Sequence, residues 1–449
     1  MFKIFRKPRM IVYVDPKTKS KIHLRIDPTG IGVLVINASR VVYLNRTATF
    51  FIEHLLKGFK EEEIVKKALR KFKKVDEKTI RKDLQDLTFK LNSFIRGDVC
   101  PITYLGFKRI DPFTTKLAAP FRVDIALTYA CNNKCVHCYS ASPRPFKNEL
   151  STEKWFKVID KLAEIGVPNI LFTGGEPTLR NDLPELIRHA EEKGLVTGLV
   201  TNGRKLSNRN FLHQLVKAGL DYIQVTLESN RPEVHDKITG VKGSWEETVK
   251  GIKNILEEGV YLDVNTTLNK FNIDHLDEWV DFLYNLGVKN VSANKLIYSG
   301  HALKVREWFE PTTEETTKAL ETLIEETALR GMTFRWYGVT RYCEYNSLEH
   351  GLGLKFCSAC SITLGIEPNG DVIPCQSYYQ PLGNILKDKW SKIWYHPLCQ
   401  EIRERKYAPE ICRKCPFFQA CGGGCPLEAK VKPYNPPKEL VTREAPLQS

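Results

Sequence analysis

Within the 449 residues, the run Cys131-Asn-Asn-Lys-Cys135-Val-His-Cys138-Tyr139 carries thiols of a type and spacing that can hold one inorganic cluster from a single short loop. An iron–sulfur cube takes four thiolates, one per iron. No fourth cysteine stands near this run, so one iron would be left for a ligand that is not protein. An open coordination position serves reaction rather than stapling, and the expectation is an enzyme. A single zinc ion is the alternative. It needs a fourth donor, and the nearest, His137, lies inside the run, where it is better placed to pack beside a cluster.

The run follows a predicted strand at residues 122–128, so it falls at a strand carboxyl end, where β/α barrels build their sites. The next predicted strand ends in Phe172-Thr173-Gly174-Gly175-Glu176-Pro177, the third in Thr201-Asn202-Gly203, and the fourth in Val225-Thr226-Leu227-Glu228-Ser229. Each can also be read as ordinary turn chemistry at a strand end. Taken with the cysteine run, they resemble the radical S-adenosylmethionine (radical SAM) enzymes. The resemblance implies that the open iron of a 4Fe–4S cluster chelates the amino and carboxylate groups of S-adenosylmethionine. It also implies that Gly174 and Gly175 admit the ligand close to the backbone and that Glu176 accepts from its ammonium group. Asn202, Thr226, Glu228 and Ser229 would then meet the ribose and the sulfonium. The implied chemistry is one-electron cleavage to methionine and a 5′-deoxyadenosyl radical, which takes a hydrogen atom from the substrate. No residue stands out as a general acid or base.

A second set of cysteines lies near the carboxyl end. Cys357-Ser-Ala-Cys360 precedes Gly370 and Cys375, and Cys412-Arg-Lys-Cys415 leads into Cys421-Gly-Gly-Gly-Cys425. Facing CxxC pairs would suit structural zinc. The whole pattern resembles the SPASM domain of peptide-modifying radical SAM enzymes, which houses auxiliary iron–sulfur clusters. By that resemblance Cys357, Cys360, Cys375 and Cys425 hold one cluster, and Cys412, Cys415 and Cys421 contribute to a second. The family's last cysteine follows the equivalent of Cys425, and here none does. The second cluster would keep an open iron, or take Cys399, an oxygen or a histidine, or be absent, so one or two auxiliary clusters are expected. Cys100, Cys343 and Cys399 stand alone and are expected as buried, unligated thiols.

These residues need a frame. Between residues 118 and 335, strand patterns at 122–128, 169–172, 195–200, 221–227, 260–268 and 289–293 alternate with amphipathic stretches that end at glycines. Right-handed β/α crossovers curl such a chain into a barrel. Six units fall short of the eight of a closed one. The expected fold class is α/β, a partial (β/α)6 barrel. Residues 1–97 read as three strands (10–14, 21–26, 32–36) and then three helices, a small winged-helix-like α+β unit. Its stretches Tyr43-Leu-Asn-Arg-Thr-Ala, Lys60-Glu-Glu-Glu-Ile-Val and Phe72-Lys-Lys-Val-Asp resemble the peptide chaperone of pyrroloquinoline quinone biosynthesis. In such units a leader peptide adds as a strand to an exposed sheet edge. Residues 98–117 read as a linker, 340–430 as the irregular cysteine-rich domain, and 431–449 as a disordered tail.

Composition excludes several classes. No apolar run approaches the roughly 20 residues that span a bilayer. The basic start, Met1-Phe-Lys-Ile-Phe-Arg-Lys-Pro-Arg, is followed by too short an apolar core for a signal peptide. A cytoplasmic protein is expected, and its thirteen cysteines point to metal ligation rather than disulfides. The net charge of +14 is spread along the chain beside glutamates and comes with no nucleic-acid motif, so nucleic acid is not an expected partner. The combined resemblances imply a radical enzyme that matures a ribosomally made precursor peptide and draws electrons from a ferredoxin or flavodoxin. A tetrapyrrole or other small-molecule precursor is the alternative substrate, and a non-catalytic, metal-stabilised binding module is the third reading.

Overall fold

The computed structural model describes residues 8–16, 20–28, 30–37, 40–73, 75–96 and 117–432. The expected linker and tail, and Cys100, lie almost wholly outside them. In the amino-terminal unit, strands β1 (Arg9–Val14), β2 (Lys21–Ile26), β3 (Gly32–Ile36) and β4 (Arg40–Leu44) form an antiparallel sheet in that order. The helices α1 (Arg46–Leu56), α2 (Glu61–Lys71) and α3 (Glu77–Arg96) follow. Alternate residues Ile22, Leu24, Ile26, Leu34 and Ile36 turn one sheet face onto Ile52 and Leu91, as the two-residue strand period requires. Strand β4 was not expected. It is five residues long and runs straight into Asn45, whose side chain caps α1 by accepting from Ala48 N at 2.8 Å.

The barrel comprises β5 (Arg122–Thr128), α4 (Thr152–Glu164), β6 (Asn169–Gly174), α5 (Leu183–Glu192), β7 (Val196–Thr201), α6 (Arg209–Lys217), β8 (Tyr222–Thr226), α7 (Pro232–Thr239), α8 (Ser244–Glu258) and β9 (Tyr261–Thr267). It continues through α9 (Leu276–Leu286), β10 (Asn290–Asn294), α10 (Ala302–Phe309), α11 (Thr313–Leu329) and β11 (Thr333–Trp336). Strands β5 to β11 are all parallel, so the barrel has seven such strands and not six. Helix α4 shows the packing rule, burying Trp155, Val158, Ile159 and Leu162 as one stripe. The carboxyl region joins the same sheet. Strand β12 (Thr363–Ile366) pairs parallel to β5 on its other side, and β13 (Asp371–Ile373) and β14 (Gly383–Asn384) continue antiparallel to a total of ten strands.

One face of β2 fixes the amino-terminal unit to the end of the barrel where the strands begin. Lys21 Nζ is buried against Glu191, Asp221 Oδ2 (2.9 Å) and Leu195 O (3.2 Å). His23 Nε2 lies 2.6 Å from Gly194 O, and Arg25 donates to Ala119 O at 2.9 Å. These partners precede β5, β7 and β8, so the unit sits at the opposite end from the cysteine run. Among the described residues, no helix is long and apolar enough to cross a membrane.

Candidate active site

Cys131, Cys135 and Cys138 occupy one loop after β5, as expected. The loop is tied to α7 through Lys134 N to Thr239 O (2.8 Å) and Val136 N to Ile238 O (3.0 Å), while His301 N donates to Cys138 O at 2.8 Å. Backbone amides already point at sulfur: Asn133 N at Cys131 Sγ (3.4 Å) and Ser142 N at Cys138 Sγ (3.3 Å). Such donors are what tunes a cluster's potential. Burial pushes the Cys131 thiol up to about 12 and that of Cys135 well above its ordinary range, and neighbouring thiols add to both. Neighbouring, partly buried thiols whose ionised forms are disfavoured suit a cationic centre that reverses this balance. Among the described residues, no three His, Cys, Asp or Glu side chains close on a single-ion site. The thiol-only donor set fits a cluster.

Gly174 and Gly175 form a cradle. A Cβ on Gly174 would stand 2.2 Å from Thr128 O, and one on Gly175 would stand 2.3 Å from Ala130 O. Only glycine permits this approach. Glu176, the residue expected to accept from an ammonium group, already has protein donors. It is fully buried, and Oε1 accepts from Thr178 N (3.0 Å), Thr178 Oγ1 (2.6 Å) and Thr201 Oγ1 (2.7 Å), while Oε2 accepts from Asn202 N (2.8 Å). Burial raises its pKa against these four donors. Glu176 therefore locks the glycine loop to the end of β7. Asn202 Nδ2 donates to Asn132 Oδ1 (2.7 Å), reaching into the cysteine run. Arg204, which sequence patterns did not single out, adds Asn132 O and Asn133 Oδ1 (2.9 Å).

Glu228 is buried and lies 3.2 Å from His137 Nε2, with Thr267 N donating to its Oε2 at 3.1 Å. Burial alone would raise its pKa, but His137 and Thr267 outweigh burial and hold it below the usual carboxylate range. The His137 ring stacks on Phe309 with centroids 5.0 Å apart. His137 thus braces the loop against Glu228 and Phe309. Ser229 Oγ accepts from Arg231 N (3.1 Å) just before α7, and Thr226 is half-buried at the end of β8. All the residues expected from sequence line the strand carboxyl ends. Glu176, Asn202, Glu228 and Ser229 hold the walls together by their own bonds.

The carboxyl-region thiols form two groups. Cys357 lies within electrostatic reach of Cys375 and Cys425, and Cys412 within reach of Cys415 and Cys421. Burial is the first cause of the raised pKa of all five thiols with a resolved shift, including Cys375, pushed up to about 12, and Cys421 and Cys425. Gly422, Gly423 and Gly424 are all left-handed, with φ of 70°, 81° and 88°. This turns the amides of Gly423 and Gly424, together with that of Tyr342, toward Cys421. Cys360 corrects the expected ligand set. Its sulfur is bonded to Cys399, their Cα atoms 5.2 Å apart, so neither is the lone thiol or the cluster ligand expected. The helix Pro397–Arg403 carries Cys399 against the 357–360 turn, with Cys360 O accepting from Arg403 Nε.

Comparison with known proteins agrees with this geometry. Residues 125–283 match the radical SAM superfamily, and residues 357–416 match an iron–sulfur cluster-binding domain, SPASM. The chain is 31% identical to Fe-coproporphyrin III synthase of Methanosarcina barkeri, across 68% of this chain and 82% of that protein. It is 30% identical to PqqA peptide cyclase of Ruegeria pomeroyi, across 69% of this chain and 83% of that one. The fold resembles Streptococcus suis SuiB bound to precursor peptide SuiA, with a TM-score of 0.70 and 18% identity, over 96% of this chain and 100% of that one. Matched in both modules and along most of its curated relatives, the chain belongs to the radical SAM superfamily and carries a SPASM iron–sulfur domain.

Proposed function

We propose that this enzyme modifies a ribosomally made precursor peptide through hydrogen abstraction, forming a cross-link within it. One observation carries the reading: a four-stranded unit with one-sided edge strands is fixed by Lys21, His23 and Arg25 to the base of a barrel whose other end holds the thiol run. A leader peptide adds as a strand beside that sheet, for example along β4, where Val41 is 39% exposed. The rest of the peptide then reaches around the barrel to the site.

Cys131, Cys135 and Cys138 would hold a 4Fe–4S cluster, and Cys357, Cys375 and Cys425, with Cys412, Cys415 and Cys421, would hold auxiliary clusters. When bound, cluster and S-adenosylmethionine together supply one-electron cleavage to a 5′-deoxyadenosyl radical, with electrons from a ferredoxin or flavodoxin. The chain's own part is positional. Gly174 and Gly175 admit the ligand to the backbone, Glu176 fixes their loop, and Glu228 and Arg204 hold the cysteine run.

A second reading rests on the likeness to Fe-coproporphyrin III synthase and makes an iron tetrapyrrole precursor the substrate and an iron porphyrin the product. The two separate in one experiment. The anaerobically reconstituted full chain is offered the precursor peptide encoded beside its gene, with and without its leader, and separately an iron tetrapyrrole precursor. The peptide reading expects a product lighter by two hydrogens that depends on the leader. Turnover of the tetrapyrrole alone would overturn it.

A further inference from the structure

Over the carboxyl ends of β9, β10 and β11 lies a partly open cavity of about 50 Å³ that no part of the foregoing site uses. Leu268, Leu296 and Trp336 give it apolar walls, and Lys295, Glu310 and Glu428 give it polar ones. Most of its charges are matched. Glu310 accepts from Tyr298 and Lys432, and Glu344 pairs with Arg341 at 3.2 Å. Glu428 is matched through one oxygen only. It is 2% exposed, and its Oε1 accepts from Lys295 Nζ at 2.8 Å, but its Oε2 has no hydrogen-bond partner among the described residues. A buried carboxylate oxygen left without a donor is costly, so it marks a place where a donor arrives.

The cavity lies between the two thiol systems. Glu310 directly follows Phe309, whose ring stacks on His137 within the first thiol run. Lys295 and Glu428 lie within electrostatic reach of Cys425 in the carboxyl-region group. A group seated here would stand between the radical-generating end and an auxiliary thiol site, at the barrel rim.

Resting on the peptide reading above, we infer that this cavity is a subsite for one long side chain of the substrate, ending in a nitrogen donor. The stem lies on Leu268, Leu296 and Trp336, and the terminal N–H donates to Glu428 Oε2. Lysine, arginine and glutamine share that chemistry, which an aliphatic side chain of the same length lacks.

The test uses the reconstituted full chain and three small probes: the N-acetyl methylamides of lysine, glutamine and norleucine. Binding is read by saturation-transfer NMR. The lysine and glutamine probes distinguish a charged from a neutral donor, and at least one should bind tenfold or more tightly than norleucine. Glu428→Gln should abolish that preference. Thr317→Trp, which fills the cavity from α11 and leaves both Lys295 and Glu428 in the chain, should weaken every probe by tenfold. Matching iron content and circular dichroism show that each variant is folded. Equal binding of all three probes, or a donor preference that survives Glu428→Gln in a folded variant, overturns the subsite. Donor binding at Glu428 in an enzyme that modifies no peptide overturns the peptide reading and leaves the pocket standing. Peptide modification with no probe preference does the reverse.

Discussion

Tyr139 donates its phenol to Gln376 Oε1 at 2.7 Å, and each residue directly follows a cysteine, Cys138 in one run and Cys375 in the other. The two thiol systems, more than two hundred positions apart in the chain, are thereby joined by one side-chain bond. Pairing β12 with β5 makes this contact, because it brings the carboxyl region against the strand that delivers the first run. A double-mutant cycle of Tyr139→Phe and Gln376→Ala should return a coupling of about 1 kcal/mol in urea unfolding. Additive effects would show that the bond does not hold the modules together.

Glu176 already accepts from four protein donors, so its replacement should act on the loop first. Glu176→Gln turns one acceptor into a donor that faces Thr201 or Asn202, which costs about 2 kcal/mol. The Asn202 amide, bonded to Oε2 at 2.8 Å, should then exchange its hydrogen tenfold faster or more. Unchanged exchange with lost S-adenosylmethionine binding would instead assign Glu176 to the ligand.

His23 makes the docking of the amino-terminal unit pH-sensitive. Burial first, then Lys21, lower its pKa from 6.5 to about 4, against Gly194 O and Asp221. A depressed histidine pKa means that the fold prefers the neutral ring. The stabilisation is full above pH 6.5 and is lost as the pH falls towards 4, where the unfolded chain binds the extra proton. The full shift corresponds to about 3 kcal/mol. Limited proteolysis of the amino-terminal unit should accelerate from pH 7.5 to 5.5, and His23→Gln should flatten that response. An identical pH response in the variant would contradict the assignment.

Cys360 and Cys399 should resist alkylation in the denatured, unreduced protein and react after reduction. Cys399→Ala should leave the iron content unchanged. Loss of iron in that variant, or free alkylation of both thiols, would return Cys360 to the ligand set.

Much of the barrel was legible because each buried helix stripe and each strand is encoded locally. The β5 boundaries and the three strands at residues 10–36 come directly from apolar alternation. Strand β11 was not legible, since its four residues hold only Trp336 fully buried and its pairing with β10 supplies the rest. The same holds for β4, which is half-exposed along its edge. At the site, spacing revealed the three thiols and the glycine cradle because both are short-range features. It did not reveal where Glu176 spends its carboxylate, or that Arg204 clamps Asn133, because those depend on how separate strand ends converge. The Cys360–Cys399 bond joins residues 39 apart, and the resemblance to SPASM domains had placed Cys360 with Cys357, Cys375 and Cys425.

The central claim is that three thiols on the loop after β5 carry the cluster at which S-adenosylmethionine is cleaved. Cys131→Ala, Cys135→Ala and Cys138→Ala combined in one chain, reconstituted anaerobically with iron and sulfide, should contain about four fewer irons than the parent, one cube's worth. Given dithionite and S-adenosylmethionine, that chain should release no 5′-deoxyadenosine. Release at the parent's rate, or an unchanged iron content, would contradict the account.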